Sequence, residues 1–505
     1  MKIAVIGSGL ASVSSCRVLT KNGYKPDVFD TGNDLDQEQY KIKNIIKECV
    51  EKNKNEELKI LLHKILKQNS SDYPKKKYFG SETLYNYLNK SNKNNPAYSN
   101  VLGGFGKVWS ASALFPDPKD LTGWPNFSIP NIQTYKKYFS DLEYVSQNDN
   151  LKNIFTNLTE KNSTIDHHCS IEKLQNSISK INSENFVSGF SKSFTSTSGD
   201  NKCRYCGLCM TGCIYKSIYD PSEDIKKWIN QKKIIYFKNF DLIKIIRLDK
   251  KFELLFSNGK KFQYDKVFLA TGALNSARIV LNSFKKIREA RIYHASGFVI
   301  PLISLKPYDF NWPKRNTLSQ IFLEIKTKEI SNWVHCQLSQ PNEIVMHKLG
   351  FFRIRNKLIQ KLYFQIFKRL FTLNIGYHSN YGGYYKIKVN DNISNLIYVK
   401  NKYSQKYHDD IYSTLLKKLK FLGFYSSKFL INHGKNADHY YTGGSFPMTK
   451  EQSEINHTDD LGQLKDIKGL HIVDSSTFPS IPSTTFGLLS MLNSARITEK
   501  VLEQI

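Results

Sequence analysis

The apolar positions gather first into a short unbroken run, Lys2-Ile-Ala-Val-Ile6. A strand buried on both faces of a parallel sheet reads this way. Leu10 to Asn22 switches to helical spacing, with Leu10, Val13, Val18 and the stem of Arg17 on one side. Pro26 to Phe29 is apolar again and predicts a second strand, so the chain opens as a βαβ unit. From Asn33 to about Asn95, Lys, Asn, Glu and Gln dominate, which predicts an inserted, mostly exposed segment with weak helical character. Gly-rich sequence returns at Leu102 to Trp109, turn signals crowd Pro116 to Pro130, and the stretch from Tyr135 to about Asp200 is polar without a clear period. Strands are predicted at Ile234 to Phe237, Leu242 to Leu248, Phe252 to Phe256 and Lys266 to Leu269, with Asn258-Gly259 as a hairpin turn between the last two. A helix begins around Ala277 to Asn282. From about Ile292 to Ile431, strand-like runs alternate with one aromatic, basic helix. The chain closes on a strand, Leu470 to Val473, and a helix, Gly487 to Leu502.

Between the first strand and first helix lies Gly7-Ser-Gly9-Leu-Ala-Ser12. The first Gly suits a tight turn. The second lets backbone approach a pyrophosphate, and the helix N-terminus adds N–H donors and a positive dipole end. The third position, ordinarily Gly or Ala, is the small Ser12. Asp30 ends the second strand, where an acid hydrogen-bonds a ribose hydroxyl. Together these predict a dinucleotide site. Lys266-Val-Phe-Leu-Ala-Thr-Gly272 adds an apolar strand that ends in Thr271-Gly272.

Hydrophobic residues at 40% and aromatics at 13% supply cores for two or three domains, and charged residues at 23% argue against disorder. The net charge of +28 reads either as a Lys-rich solvated surface or as attraction to anionic substrates or membranes. No helix-turn-helix, zinc-finger or RNA-binding signature accompanies it, so no nucleic-acid partner is expected. A strand starting at Lys2 leaves no room for a leader, and no apolar run of about 18 residues predicts a spanning helix. Four of the eight cysteines crowd together and four are scattered, unlike a secreted disulfide framework. A cytoplasmic setting is expected, with peripheral contact at the inner face of the membrane as its variant.

Four blocks resemble the glucose–methanol–choline (GMC) oxidoreductases. They are Gly7 to Ser12; Gly103-Gly-Phe-Gly-Lys-Val-Trp109; Ala270-Thr-Gly-Ala-Leu-Asn-Ser-Ala-Arg278; and Leu470-His-Ile-Val-Asp-Ser-Ser-Thr-Phe-Pro479. The sequence resembles a divergent bacterial-type member carrying a Cys-rich motif. The resemblance implies FAD rather than NAD. It implies an α/β chain, α+β overall, with a Rossmann-like FAD domain of the two-dinucleotide-binding type and a discontinuous substrate domain on a mostly antiparallel sheet. It makes Gly104 and Trp109 part of the loop over the flavin, and Asp474, Thr485 and Phe486 cofactor contacts. The family oxidises a CH–OH carbon with a His as base. The matching block here is His439-Tyr-Tyr-Thr-Gly-Gly-Ser445, in which Tyr441 falls at the His position and His439 stands two residues away. His439 is the catalytic candidate, and no second His or Asn occurs near Thr484 or Thr485.

Cys203, Cys206, Cys209 and Cys213 have the C-x2-C-x2-C-x3-C spacing of bacterial ferredoxins, with Ile214 where Pro usually follows. A [4Fe–4S] cluster, zinc and a metal-free loop all remain open. A cluster would hand electrons singly to an acceptor partner. Residues 351–371 are aromatic and basic. Leu358, Leu362, Ile366 and Leu370 recur at helical spacing among Lys357, Lys361, Lys368 and Arg369. This is either a peripheral membrane contact or an amphipathic helix packed on its own domain.

The expected segments are 1–33 (first βαβ of the FAD domain), 34–95 (polar helical insertion), 96–115 (Gly-rich loop), 116–200 (substrate or cap region), 201–290 (Cys-rich motif and FAD domain), 291–455 (substrate domain) and 456–505 (C-terminal FAD signature). The expected function is oxidation, of the dehydrogenase type, of a small alcohol or sugar, a lipid-linked sugar included. An isomerase or mutase using flavin without net redox, and a non-catalytic FAD-binding protein, are the alternatives.

Overall fold

The computed structural model describes residues 1–35, 37–68, 98–107, 109–115, 117–129, 131–145, 151, 158, 165, 169–390, 393–432 and 441–505. Its first sheet has five strands in the order Leu470–Ile472, Lys266–Leu269, Ile3–Ile6, Asp27–Asp30, Ile235–Lys238. All pairings are parallel. Ile3–Ile6 lies at the centre with every residue buried, which is why its sequence is apolar without alternation. The chain leaves it through the helix Leu10–Lys21 to Asp27–Asp30 on one side, while Lys266–Leu269 flanks the other. The strand order reverses there, and ligands of open α/β sheets bind in the crevice beyond the carboxyl ends at such a point. Gly7 makes the crossing possible. It sits at φ +106°, and a Cβ on it would stand 2.6 Å from the Ala270 carbonyl oxygen.

The second large sheet has six strands in the order Phe424–Tyr425, Ser296–Ser304, Leu370–Tyr377, Val334–Ser339, Ile321–Ile325, Phe186–Phe190. It is antiparallel throughout. Its apolar positions, among them Val334, Cys336, Leu338, Leu373 and Ile375, pack on the helices Cys169–Ser179 and Ser404–Lys420. Polar residues at alternate positions, including His335, Gln337 and Ser339, line a cavity. Three smaller antiparallel sheets complete the described fold: Ile393–Val399, Tyr384–Asn390, Ala290–His294 and Thr442–Gly443; Leu242–Arg247, Phe252–Phe256 and Lys261–Tyr264; and the pair Tyr144–Val145 and Ser193–Phe194.

Four local expectations change. The Asn258-Gly259 turn joins Phe252–Phe256 to Lys261–Tyr264, not to Lys266–Leu269, because Lys266–Leu269 is drawn into the parallel sheet. The helix after that strand runs Ala273–Ser283, starting at the Gly272 turn rather than near Ala277. The stretch 135–200, without a readable period, holds the helices Ile132–Tyr138 and Cys169–Ser179, and the region to Ile431 holds Glu343–Lys348 and Ser404–Lys420 beside the basic helix. The insertion is not merely exposed. Its helices Gln37–Glu51 and Asn55–Gln68 bury Ile46, Leu58, Leu62 and Ile65 against Trp312, Phe351 and Phe352. Apolar residues spaced thinly among lysines still form one buried stripe.

Candidate functional site

A cavity of about 950 Å³ runs from the carboxyl ends of the parallel sheet to the polar face of the six-stranded sheet. Three helix N-termini open on it: Leu10–Lys21 after Gly9, Ala273–Ser283 after Gly272, and Gly487–Leu502 after Phe486. None carries a side-chain cap, and none has an acidic residue in its first turn. Their first-turn N–H groups lack intrahelical partners and carry the positive end of the helix dipole, so the cavity wall suits an anion such as a pyrophosphate. Gly272 is at φ +80°, and a Cβ on it would meet open space. Backbone strain and vacant room at one residue mark a place where a ligand approaches the main chain.

Asp30 is buried at the cavity edge. It accepts from Ser8 Oγ at 2.5 Å and from the Tyr236 hydroxyl at 3.2 Å. Ser8 Oγ accepts in turn from the Gly103 amide at 2.9 Å, so the ribose-type acid and the Gly-rich loop are tied together. Burial raises the Asp30 carboxyl to about 7, against the lowering effect of the Ser8 and Tyr236 bonds. Gly104 packs on Gly9, a Cβ on Gly104 coming within 3.4 Å of the Gly9 Cα. Trp109 donates from its indole to the Tyr219 carbonyl at 2.7 Å and lies over Gly487, where a Cβ would meet its ring at 2.3 Å. Gly7, Gly9, Asp30, Gly104, Trp109, Thr271, Gly272, Asp474, Thr485 and Phe486 all line this one cavity.

Two of the expected cofactor residues have other work. Ser12 is absent from the cavity wall. Its hydroxyl donates to the Gly7 carbonyl at 2.6 Å and holds the turn from within. Asp474 touches the cavity, yet both its oxygens are engaged: Oδ2 accepts from the Gly272 amide at 2.8 Å and Ser276 Oγ at 2.6 Å, and Oδ1 from the Ser476 amide at 2.9 Å. Asp474 therefore clips the Thr271-Gly272 turn onto the last strand. Burial pushes its carboxyl up, and the Ser276 and Ser476 bonds pull it back.

His439 lies outside the described residues. Tyr441, the first described residue after it, lines the cavity and packs edge-on against Phe486 at 5.1 Å. Nearby, the buried hydroxyls of Ser483 and Thr485 have no hydrogen-bond partner among the described residues. Such buried orphans are costly unless a bound group satisfies them.

On the opposite wall stands His335, the one histidine of the cavity lining among the described residues. His335 Nδ1 is 2.5 Å from Oε1 of Glu324, which is fully buried on the paired strand. Gln337 Nε2 is 3.2 Å from His335 Nε2. An amide nitrogen only donates, so the bonds assign Nδ1–H to Glu324 and a lone pair to Nε2. Burial raises the Glu324 carboxyl, His335 lowers it, and Asp117 adds a raising effect. In the sheet His335 stands opposite Gly376, whose Cβ position is 3.0 Å from the Ser483 carbonyl. The bare glycine thus brings the dyad up to the segment that leads into the helix Gly487–Leu502. Gln337, Ser339, Thr372 and Asn374 continue the same face with hydroxyls and amides. Sequence reasoning passed over His335 and Glu324. The signal was His335, Gln337 and Ser339 alternating with Val334, Cys336 and Leu338, which marks one polar face on a buried strand.

The metal expectation at Cys203, Cys206, Cys209 and Cys213 finds no support in the geometry. Among the described residues no group of three or more His, Cys, Asp or Glu could hold a metal ion. Three of the sulfurs accept N–H bonds: Cys203 from the Asn316 side-chain amide, Cys209 from the Thr317 amide at 3.4 Å, and Cys213 from the Ser217 amide at 3.2 Å. None of the eight cysteines is in a disulfide. Burial pushes the Cys209 thiol up to about 12, and Cys209 forms part of the cavity wall.

No family model matches the chain, and no curated protein matches it. Among solved structures it is similar to pyridoxine 4-oxidase from Mesorbium loti, with a TM-score of 0.60 over 99% of each chain at 10% identity. At that identity the likeness is one of fold, and the chain has a GMC-like α/β fold.

Proposed function

We propose that the chain is an FAD-dependent oxidoreductase acting on the CH–OH group of a hydroxyl-rich small molecule, a sugar or a lipid-linked sugar. One observation carries this reading: an anion-binding crevice and a histidine–carboxylate dyad share one cavity. The residues fit FAD. Gly7 and Gly9 would pass the pyrophosphate at the first helix, Asp30 would take a ribose hydroxyl, and Gly104, Trp109, Tyr441, Thr485 and Phe486 would surround the ring system. Ser12 and Asp474 would hold the turns behind it. When bound, FAD supplies a two-electron hydride acceptor.

The chain's own residues then have defined roles. The row Gln337, Ser339, Thr372 and Asn374 orients a substrate through its hydroxyls, which suits a polyol better than a bare alkyl alcohol. His335 Nε2, whose lone pair accepts from Gln337 until a substrate hydroxyl takes the place of that amide, accepts the proton of the reacting hydroxyl. Glu324 keeps Nδ1 protonated and stabilises the imidazolium that forms, as a carboxylate does behind a catalytic histidine. The dyad replaces His439 as the proposed base.

Purified holoenzyme mixed anaerobically with a panel of aldoses and polyols tests the function. Bleaching of the flavin band by a member of the panel is expected. Protein that retains stoichiometric flavin and is bleached by simple alkyl alcohols but by no polyol would overturn the substrate class. Protein that binds no FAD would overturn the whole reading.

A further inference from the structure

One end of the six-stranded sheet carries apolar side chains that the described protein leaves bare. The helix Lys357–Phe367 turns Tyr363, Phe364 and Phe367 inward onto Phe351. Leu358, Leu362 and Ile366, one turn apart, point outward at 69%, 63% and 54% exposure. The sequence pattern concealed this, since both faces of the helix are apolar. Just past the helix, Arg369 donates to the Leu305 carbonyl. Ile303 pairs with Leu370 on one side and Tyr425 on the other. Around this joint Leu305, Phe421, Phe429 and Leu430 are exposed, Phe429 at 99%. Helix and joint thus form one continuous edge.

The charge on the segments that build this edge is predominantly positive. Lys306, Lys357, Lys361, Arg369, Lys417 and Lys420 are exposed on the same segments. No Asp or Glu occurs in 344–390 or 411–437. In sequence these segments are bounded by Glu343 and Asp391 and by Asp410 and Asp438, Asp309 follows the segment of Leu305 and Lys306, and Asp409 pairs with Lys428. A second copy of the chain would bring the same cations against these, in a protein already at +28. An anionic lipid surface offers the complement, with acyl chains for the leucines and headgroups for the lysines, whose stems lie along the apolar surface. No helix among the described residues is long and apolar enough to cross a membrane. The fitting geometry is a helix lying in the interface.

We infer that this edge docks on an anionic lipid surface, with Leu358, Leu362 and Ile366 of the helix Lys357–Phe367 among the acyl chains and Phe429 as a second anchor. The inference does not depend on the chemistry proposed above. The edge adjoins the cavity wall: Lys348 lines the cavity, and the carbonyl of the next residue, Leu349, accepts from the Tyr363 hydroxyl.

Sedimentation of the holoprotein with phosphatidylcholine vesicles, with and without about 30% phosphatidylglycerol, tests the inference. Binding to the anionic vesicles is expected to fall with added salt. It should drop at least about tenfold in the variant Leu358→Ser, Leu362→Ser, Ile366→Ser and severalfold in Phe429→Ser. Those side chains are solvent-exposed, so both variants should keep wild-type flavin content and thermal midpoint. Absence of binding in wild type overturns the inference. So does binding that the serine variants retain, or a concentration-dependent dimer that the triple variant dissolves while vesicle binding never occurs.

Discussion

Replacing His335 is the sharpest probe of the cavity. A positioned general base contributes about 10²- to 10⁴-fold, or about 3–5 kcal/mol of barrier, and His335→Ala should lower flavin reduction by that factor. Glu324→Gln asks a finer question. Its Nδ1 contact is 2.5 Å, which puts the two charge centres about 4 Å apart. At that distance, with an effective dielectric near 20, the imidazolium–carboxylate attraction is about 4 kcal/mol, an upper figure because the site relaxes. Glutamine still accepts the Nδ1–H bond, so it should cost roughly 10²-fold through lost charge alone, and less than His335→Ala. Anaerobic stopped-flow bleaching under saturating substrate gives the rate, and flavin content of each variant reports the fold. Added imidazole separates chemistry from structure: it should restore part of the rate in His335→Ala and none in Glu324→Gln. Normal reduction by His335→Ala would refute the assignment. A slow variant that imidazole does not rescue, with flavin lost, would reduce His335 to a structural residue.

Other perturbations test the cofactor crevice. Gly7→Ala must place a methyl 2.6 Å from the Ala270 carbonyl oxygen at φ +106°, and strain of this kind costs on the order of 2–4 kcal/mol. Its thermal midpoint and flavin content should both fall, and an unchanged midpoint would contradict the strand crossing. Asp30 makes a pH prediction. Its folded carboxyl is raised to about 7, above its unfolded value, so it contributes stability to the flavin-free protein at low pH that is lost as pH rises to about 7. Asp30→Asn should flatten this part of the pH dependence of the apoprotein's thermal midpoint, and an unaltered slope would refute the burial effect. The same substitution should weaken FAD binding about tenfold by titration of apoprotein, since one ribose hydrogen bond to a charged group is lost.

The sequence by itself determined the frame of the crevice. Ile3–Ile6, Lys266–Leu269 and Leu470–Ile472 are legible because strands buried on both faces are largely apolar, with Lys266 at a strand end and the buried His471 as the departures. Gly7 is legible because few other residues tolerate its φ of +106°, Gly9 because the motif spacing leaves room for a ligand there, and Asp30 because the strand end places it. Only the tertiary structure decided what each polar group touches. Ser12 and Asp474 read as cofactor contacts; in the fold the Ser12 hydroxyl bonds the Gly7 carbonyl, and Asp474 lines the cavity while accepting from Gly272, Ser276 and Ser476. The Cys203–Cys213 spacing left a cluster, zinc and a metal-free loop open, and the described residues show no group that could hold a metal ion there. His335 and Glu324 are 11 residues apart and become a dyad through strand register alone. The helix Lys357–Phe367 is apolar on two faces, and only packing decides that the aromatics turn inward and the leucines are left for another surface. Periodicity reports burial, whereas site chemistry depends on contacts between strands and helices distant in the chain.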